Sequence, residues 1–400
     1  MSETLTSYMH AAFNQKVQKQ KIIWSSDYWL LGTIMSLLIL GLIMVGSASV
    51  SIAEKNIGEP FYYLWRQMMF TGMGLFGAFI LVRIPMRIWQ GLGPALVIVS
   101  LLALLLVFIP GLGKTVNGST RWIAIGSFNL QVSEFVKLFM ILYLAGYLVR
   151  HIDAVRATAA GFWRPLGLLM VLMVLLLIEP NFGAATVLIS TAVAMMWLGG
   201  VRIGQFLILI ILVSIALALL VYTSDYRMQR LTGFMDPWDD PFKTGFQLTQ
   251  ALIAFGRGEW FGVGLGASVQ KLFYLPEAHT DFLFAVLAEE LGLFGVVTVI
   301  ALFTFLVFRI LLIGRRAENR ERPFSGYVAY GIGIWIGLQA FINIGVNMGV
   351  LPTKGLTLPF MSYGGSSIVV MCMAVALLVR IDYETRKGDR IIQKGRKRYE

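Results

Sequence analysis

Asp281 is the side chain in this sequence best suited to move a proton. It lies in YLPEAHTDFLFAVLAEELG (274–292), a stretch that holds Glu277, His279, Asp281, Glu289 and Glu290 yet is apolar enough from Phe282 onward to enter a bilayer. Pro276 suits a first-turn or pre-helix position, and Thr280 or Asp281 can cap the helix that follows. An aspartate at a helix N-terminus is favoured as the anion. At a water-filled mouth, such a carboxylate can accept a proton from a substrate hydroxyl. From the residues alone, a plain N-cap and a catalytic base are equally good accounts of Asp281. His279 could orient the site or be a satisfied loop histidine. Glu289 follows about 12 Å deeper by helix rise and is turned about 80° from Asp281. That arithmetic lets Glu289 line the same cavity and points Glu290 away, towards an interhelical hydrogen bond or ion pair.

Two further clusters carry polar groups that a membrane segment disfavours. In KTVNGSTRWIAIGSFNLQVSEFVK (114–137), Arg121 precedes a helix that opens with Gln131, Ser133, Glu134 and Lys137. Glu134 and Lys137 are one turn apart, which allows an internal ion pair. The competing account is a basic phosphate site with Arg121 and Lys137 as its cations. In NIGVNMGVLPTKGLTLPFMSYGGSS (343–367), Lys354 and hydroxyls that include Ser362 and Ser366 sit among glycines whose freed N–H groups make anion nests. A plain turn with small-residue helix packing explains the glycines but not Lys354. His10, His151 and His279 are too far apart for metal-ligand spacing, and Cys372 stands alone in an apolar run.

The elements that must position these residues are membrane helices. Of the 400 residues 57% are hydrophobic and 14% charged, far from the roughly 25% charged of a soluble domain. The expectation is an all-α integral membrane protein, a bundle of about ten transmembrane helices with one large extracytoplasmic loop. The candidate spans are 28–51, 62–82, 92–112, 134–150, 164–180, 183–199, 204–223, 282–313, 327–349 and 360–380, with the pair around Asn181 also readable as an interrupted hairpin. Tyr28–Val45 is longer than a signal-peptide core, so a retained helix is expected. Residues 1–27 read as a cytoplasmic tail, 28–382 as the membrane domain, 224–281 as the large loop and 383–400 as a basic cytoplasmic tail.

Arginine and lysine alternate between loops as the positive-inside rule requires if both termini are cytoplasmic. This accounts for the net charge of +11 without nucleic acid, for which no groove-reading motif is present. The long loop is rich in Phe and Trp, which argues against disorder and for a fold over the outer mouth. Spacing alone leaves open a transporter of a polar or anionic solute and an enzyme acting on a lipid-linked anion. The charged residues near the outer ends lean towards surface chemistry.

Several stretches resemble the signature of the SEDS family (shape, elongation, division and sporulation proteins). They are RWI (121–123), QVSEFVK (131–137), DPW (236–238), KLFYLPEAHTDF (271–282), FAVLAEELG (284–292) and GVNMGVLPTKGLTLPFMSYGGSS (345–367). The polar N-terminal extension, the absence of Arg before His279 and RIDYETR (380–386) resemble the division branch more than the elongation branch. The chain departs from the pattern at Asn181, where relatives commonly have Asp, at Ala251, where many have Ser, and at Val132, where Pro is usual.

The resemblance implies a peptidoglycan glycosyltransferase that polymerises lipid II outside the cytoplasmic membrane, at the division septum. It would work with a class B penicillin-binding protein of the FtsI type and other divisome proteins. It maps the essential carboxylate to Asp281. The expected site then has Arg121, Glu134, Lys137, His279, Lys354, Ser362 and Ser366 on substrate and pyrophosphate, and Gln131 and Glu289 lining the cavity. The cations act alone or with a divalent Mg2+ or Mn2+. A lipid II flippase and a non-catalytic divisome scaffold are the competing functions.

Overall fold

The computed structural model describes residues 27–116, 119–126, 128–223, 225–243 and 245–396. The expected N-terminal tail, apart from Asp27, and the end of the C-terminal tail beyond Arg396 lie outside the described residues. Helices α1 (Tyr28–Ile57), α2 (Tyr62–Leu81) and α3 (Met86–Val107) lead into strands β1 (Gly113–Val116), β2 (Ser119–Ile125) and β3 (Phe128–Gln131). There follow α4 (Val132–Ala157), α5 (Ala159–Ile178), α6 (Phe182–Leu198), α7 (Ile203–Tyr222), α8 (Asp225–Met235) and α9 (Phe246–Gly258). Helices α10 (Leu283–Glu318), α11 (Pro323–Asn347) and α12 (Gly365–Arg396) complete the chain.

Seven of these helices, α1, α3, α4, α5, α10, α11 and α12, are long and apolar enough to cross a membrane, and α6 and α7 contain shorter apolar runs. The protein is a multi-pass membrane protein. Local chemistry sets several helix ends. Asp27 accepts from the N–H groups of Trp29 and Leu30 at 3.1 and 3.2 Å, which satisfies two orphan donors at the start of α1. Gly58, at φ 81°, ends the same helix in the left-handed conformation that glycine tolerates. Asn181 caps α6 through Ala184 N–H at 3.3 Å, so the segments flanking it are two separate helices joined by a turn.

The small sheet is a difference from the all-α expectation. β1, β2 and β3 form an antiparallel meander in that order, with Trp122 opposite both Lys114 and Gln131. Residues 119–125 (STRWIAI) are rich in β-branched and aromatic types, a strand signal too short to stand out beside twenty-residue apolar runs. Helix α12 also continues through the segment read as a tail, as far as Arg396.

Helices α4, α11 and α12 make up the buried interior. Helices α1, α3, α5 and α7 turn large exposed apolar side chains such as Ile39, Leu102, Val171 and Ile211 outward, as lipid-facing surfaces do. Polar contacts gather at two opposite ends. One end ties Asp27 to Arg309, Arg316 and Arg386, and Glu384 to Arg322 and Arg380. The other joins the β-meander, the α5–α6 turn, the stretch before α10 and the loop between α11 and α12.

Candidate functional site

At that second end the first turn of α10 meets the 348–364 loop. The helix begins at Leu283; its N-cap is Phe282, which makes no side-chain cap bond. The N-cap position thus falls on Phe282 and not on Thr280 or Asp281, the two positions the sequence offered. Thr280 donates to Glu277 instead, to its carbonyl at 3.2 Å and its carboxylate at 2.7 Å. The orphan donor in the first turn, Ala285 N–H, is taken at 3.0 Å by Asn347 Oδ1 from the end of α11. A side chain from another helix thus satisfies this turn.

Asn347 and Asn343 also hold the Asp281 backbone. Their Nδ2 groups donate to the Asp281 carbonyl at 3.0 and 2.9 Å. Asn343 donates as well to the Leu356 carbonyl at 2.6 Å, which fastens the 348–364 loop beside Asp281. Asp281 is half-buried, and its Oδ2 lies 3.2 Å from the point a Cβ on Gly355 would occupy. A Cβ there would crowd the carboxylate, which would have to give by a few tenths of an ångström. Asn347→Ala leaves Ala285 N–H without its acceptor in a buried site, at a cost of about 1–3 kcal/mol. The expected result is a lower thermal unfolding midpoint in detergent.

Lys354, next to Gly355, is the cation of this loop. It is half-buried, with Nζ 4.7 Å from the Phe182 ring centroid, and burial pulls its pKa below the usual lysine value. Ser362 and Ser366 use their hydroxyls on backbone. Ser362 Oγ accepts from Leu358 N–H at 2.9 Å, and Ser366 Oγ accepts from Gln131 N–H at 2.8 Å. Gln131 thereby joins the start of α4 to the start of α12.

Arg121 and Lys137, expected as phosphate cations, are engaged inside the protein. The Arg121 guanidinium donates to the Glu179 carbonyl at 3.3 Å and to the Pro180 carbonyl, bracing the α5–α6 turn. Lys137 forms the internal pair that the one-turn spacing allowed. Its Nζ is 2.8 Å from Glu134 Oε1, and the two side chains are 2% and 6% exposed. It also donates to Gln339 Oε1 at 2.8 Å, which takes a second bond from Trp335 Nε1 at 2.9 Å. Gln339 Nε2 in turn donates to the Thr357 carbonyl at 3.0 Å. A chain of polar contacts thus runs from Lys137 to the loop that carries Lys354.

His279 is 6% exposed and packs between Tyr63 and Tyr363, with centroids 4.7 and 5.5 Å away. Burial lowers its pKa, so the ring is held neutral and supplies no cation.

Glu289 does not line a cavity with Asp281. It is 0% exposed, and its carboxylate accepts from Ser268 Oγ and from the N–H groups of Val269 and Gln270 at 3.0 and 3.2 Å. Glu290, also 0% exposed, pairs with Lys271 at 2.7 Å and accepts from Ser47 of α1 at 2.7 Å. Both carboxylates hold the long loop. The backbone explains why: α10 breaks at Gly292 (φ 64°, ψ −164°). The carbonyls of Glu289 and Glu290 accept from Val263 and Gly264, while Leu293 and Phe294 N–H donate to Glu259 and Trp260. The helical-wheel reading holds for Glu290, with its interhelical bond and ion pair, and fails for Glu289, because Asp281 and Phe282 lie in the turn before the helix. Beside this anchor a cavity of about 650 Å3 opens between α1 and residues 265–272; Asp281 is not in its lining.

The sequence reading overlooked Asn343, Asn347, Gln339 and Glu179. Asn343 and Asn347 carried a usable signal, polar residues one turn apart near the end of an apolar helix. Glu179 is 1% exposed, with both carboxylate oxygens buried and unbonded, and burial raises its pKa to about 8 despite nearby Arg121. Its folded value lies above the ordinary 4.5, so its contribution to stability is full below that value and is lost as pH rises through about 8. Glu179→Gln is expected to flatten the fall in thermal midpoint between pH 6 and 9.

Among the described residues no three or more His, Cys, Asp or Glu side chains gather to hold a metal ion. The described residues do not form a protein cage for Mg2+ or Mn2+.

A bundle of apolar helices with a carboxylate and a lysine brought together at one end defines a membrane-embedded protein with a polar site at its rim. The sequence matches the FtsW/RodA/SpoVE family, described as "Cell cycle protein", over residues 28–387, and the chain belongs to that family. It is 60% identical over 360 residues to a "Probable peptidoglycan glycosyltransferase FtsW" of Nitrosococcus halophilus, covering 90% of this chain and 93% of that one. It is 54% identical to the protein of the same name from Coxiella burnetii, covering 92% and 99%. Two solved structures share the fold. A chain from a peptidoglycan synthase complex, described by its coordination of polymerization and crosslinking, has 26% identity and a TM-score of 0.74, with 90% and 98% covered. The rod shape determining protein RodA of Thermus thermophilus has 27% identity and a TM-score of 0.66, with 89% and 96% covered.

Proposed function

We propose that this protein is a peptidoglycan glycosyltransferase that polymerises lipid II at the outer face of the cytoplasmic membrane during septal wall synthesis. The observation that carries the reading is the place of the Asp281 carboxylate beside the Gly355 backbone and the Lys354 loop, on a backbone held by Asn343 and Asn347. Asp281 takes the proton from the acceptor sugar's 4-hydroxyl as that oxygen attacks the donor's anomeric carbon. The bond to the lipid pyrophosphate breaks with inversion, and Lys354 neutralises the charge that develops on the leaving group. Pyrophosphate leaves without a general acid, so one carboxylate suffices, unlike the two-carboxylate scheme of glycoside hydrolysis. Arg121, Glu134, Lys137 and Gln131 act as positioning residues through the α5–α6 turn, Gln339 and Ser366.

The site faces the periplasm and both termini face the cytoplasm, in keeping with the arginine-rich opposite end. The partner is a class B penicillin-binding protein, the kind of crosslinking enzyme with which a polymerase shares a synthase complex. The decisive experiment reconstitutes the purified protein in liposomes with lipid II, with and without that partner, and scores glycan product and lipid translocation together. Glycan product is expected only with the partner present. Translocation without product would transfer the protein to the flippase class, and neither signal would leave a scaffold.

A further inference from the structure

The rim of the site carries an aromatic cluster that the reaction scheme above does not use. Tyr63 in the first turn of α2, His279 before α10 and Tyr363 before α12 come from three separate elements and touch one another. Tyr63 and Tyr363 meet edge to face at 5.0 Å and 81°, with His279 against both. Tyr363 N–H donates to the His279 carbonyl at 3.0 Å, which ties the cluster to the turn that presents Asp281 two residues later. His279 forms the buried floor, and the two tyrosines are half-buried walls.

Packing alone asks only for phenylalanine here. The Tyr62 hydroxyl accepts from Arg66 at 2.7 Å, whereas the hydroxyls of Tyr63 and Tyr363 make no bond to another described residue. A half-buried tyrosine presents an apolar face and a polar tip. A pyranose ring has the matching surface, one face of C–H groups and a perimeter of hydroxyls. Burial pushes the Tyr363 phenol up to about 12, so it remains a hydrogen-bond donor at any working pH.

We propose that Tyr63 and Tyr363, seated on His279, form a saccharide subsite that holds the acceptor sugar with its 4-hydroxyl towards Asp281. The proposal rests on the glycosyltransferase reading and deepens it. It concerns binding rather than proton transfer, so the two can fail separately.

The test uses full-length protein with its partner and two double variants. Tyr63→Phe/Tyr363→Phe removes only the hydroxyls, and Tyr63→Leu/Tyr363→Leu removes the faces as well. Two hydrogen bonds of about 1 kcal/mol each predict a roughly thirtyfold rise in KM for lipid II with kcat little changed. The leucine pair is expected to lose more. Binding of the soluble, lipid-free disaccharide is measured in parallel on Asp281→Asn protein with and without the phenylalanine pair. Asp281→Asn alone should still bind, and the combined variant should bind about thirtyfold more weakly. Thermal midpoints confirm that each variant folds. If wild-type protein makes no glycan, the activity reading fails and the subsite with it. If it makes glycan while folded phenylalanine variants keep wild-type KM and disaccharide affinity, or lose only kcat, the subsite alone is overturned.

Discussion

Asp281→Asn is expected to abolish glycan polymerisation while leaving the protein folded. A positioned general base contributes about 10²- to 10⁴-fold, and the amide cannot take the proton. The fold should tolerate the change because the amide matches the carboxylate in size and the Asp281 backbone carbonyl stays held by Asn343 and Asn347. Lipid II turnover by the reconstituted protein with its partner reads the effect, and an unchanged thermal midpoint shows that it is chemical. Polymerisation within a few-fold of wild type would end the base assignment. Gly355→Ala is the companion change: its Cβ would press on Asp281 Oδ2 from 3.2 Å and should lower kcat without removing the carboxylate.

The second large effect is on stability. Lys137→Met strands Glu134 in the interior, where the pair is 2% and 6% exposed, and an uncompensated buried charge costs about 3–5 kcal/mol. Folded yield and thermal midpoint are expected to fall steeply. The double change Glu134→Leu/Lys137→Met removes both charges, and replacing a buried pair by apolar residues is often neutral or stabilising, so the midpoint should recover. Polymerisation should not recover with it. The contact from Lys137 through Gln339 to the Thr357 carbonyl braces the Lys354 loop, and the double variant lacks its first member. A stable and fully active double variant would reduce the pair to packing.

Much of this was legible in the amino-acid sequence. Length and apolarity determine the spanning helices, because a bilayer leaves hydrogen-bonded helices few alternatives. Loop charge orients them, and the stretches around Arg121, Asp281 and Lys354 were marked by polar residues where lipid disfavours them. The sequence could not say which polar residues are free and which are consumed. Lys137 and Arg121 looked like phosphate cations until packing paired one with Glu134 and bonded the other to the α5–α6 turn.

From the residues alone Asp281 was equally a cap or a base; in the structure the N-cap position is Phe282, and the first-turn Ala285 N–H goes to Asn347, 62 positions along the chain. Glu290 makes the interhelical hydrogen bond and ion pair that its helical phase pointed to, whereas Glu289, counted from a residue in the turn before the helix, anchors the loop instead. Local chemistry sets what each segment is. Tertiary contacts decide what each polar group does, because inside a low-dielectric bundle a charge or hydrogen-bond donor takes the partner that packing brings to it.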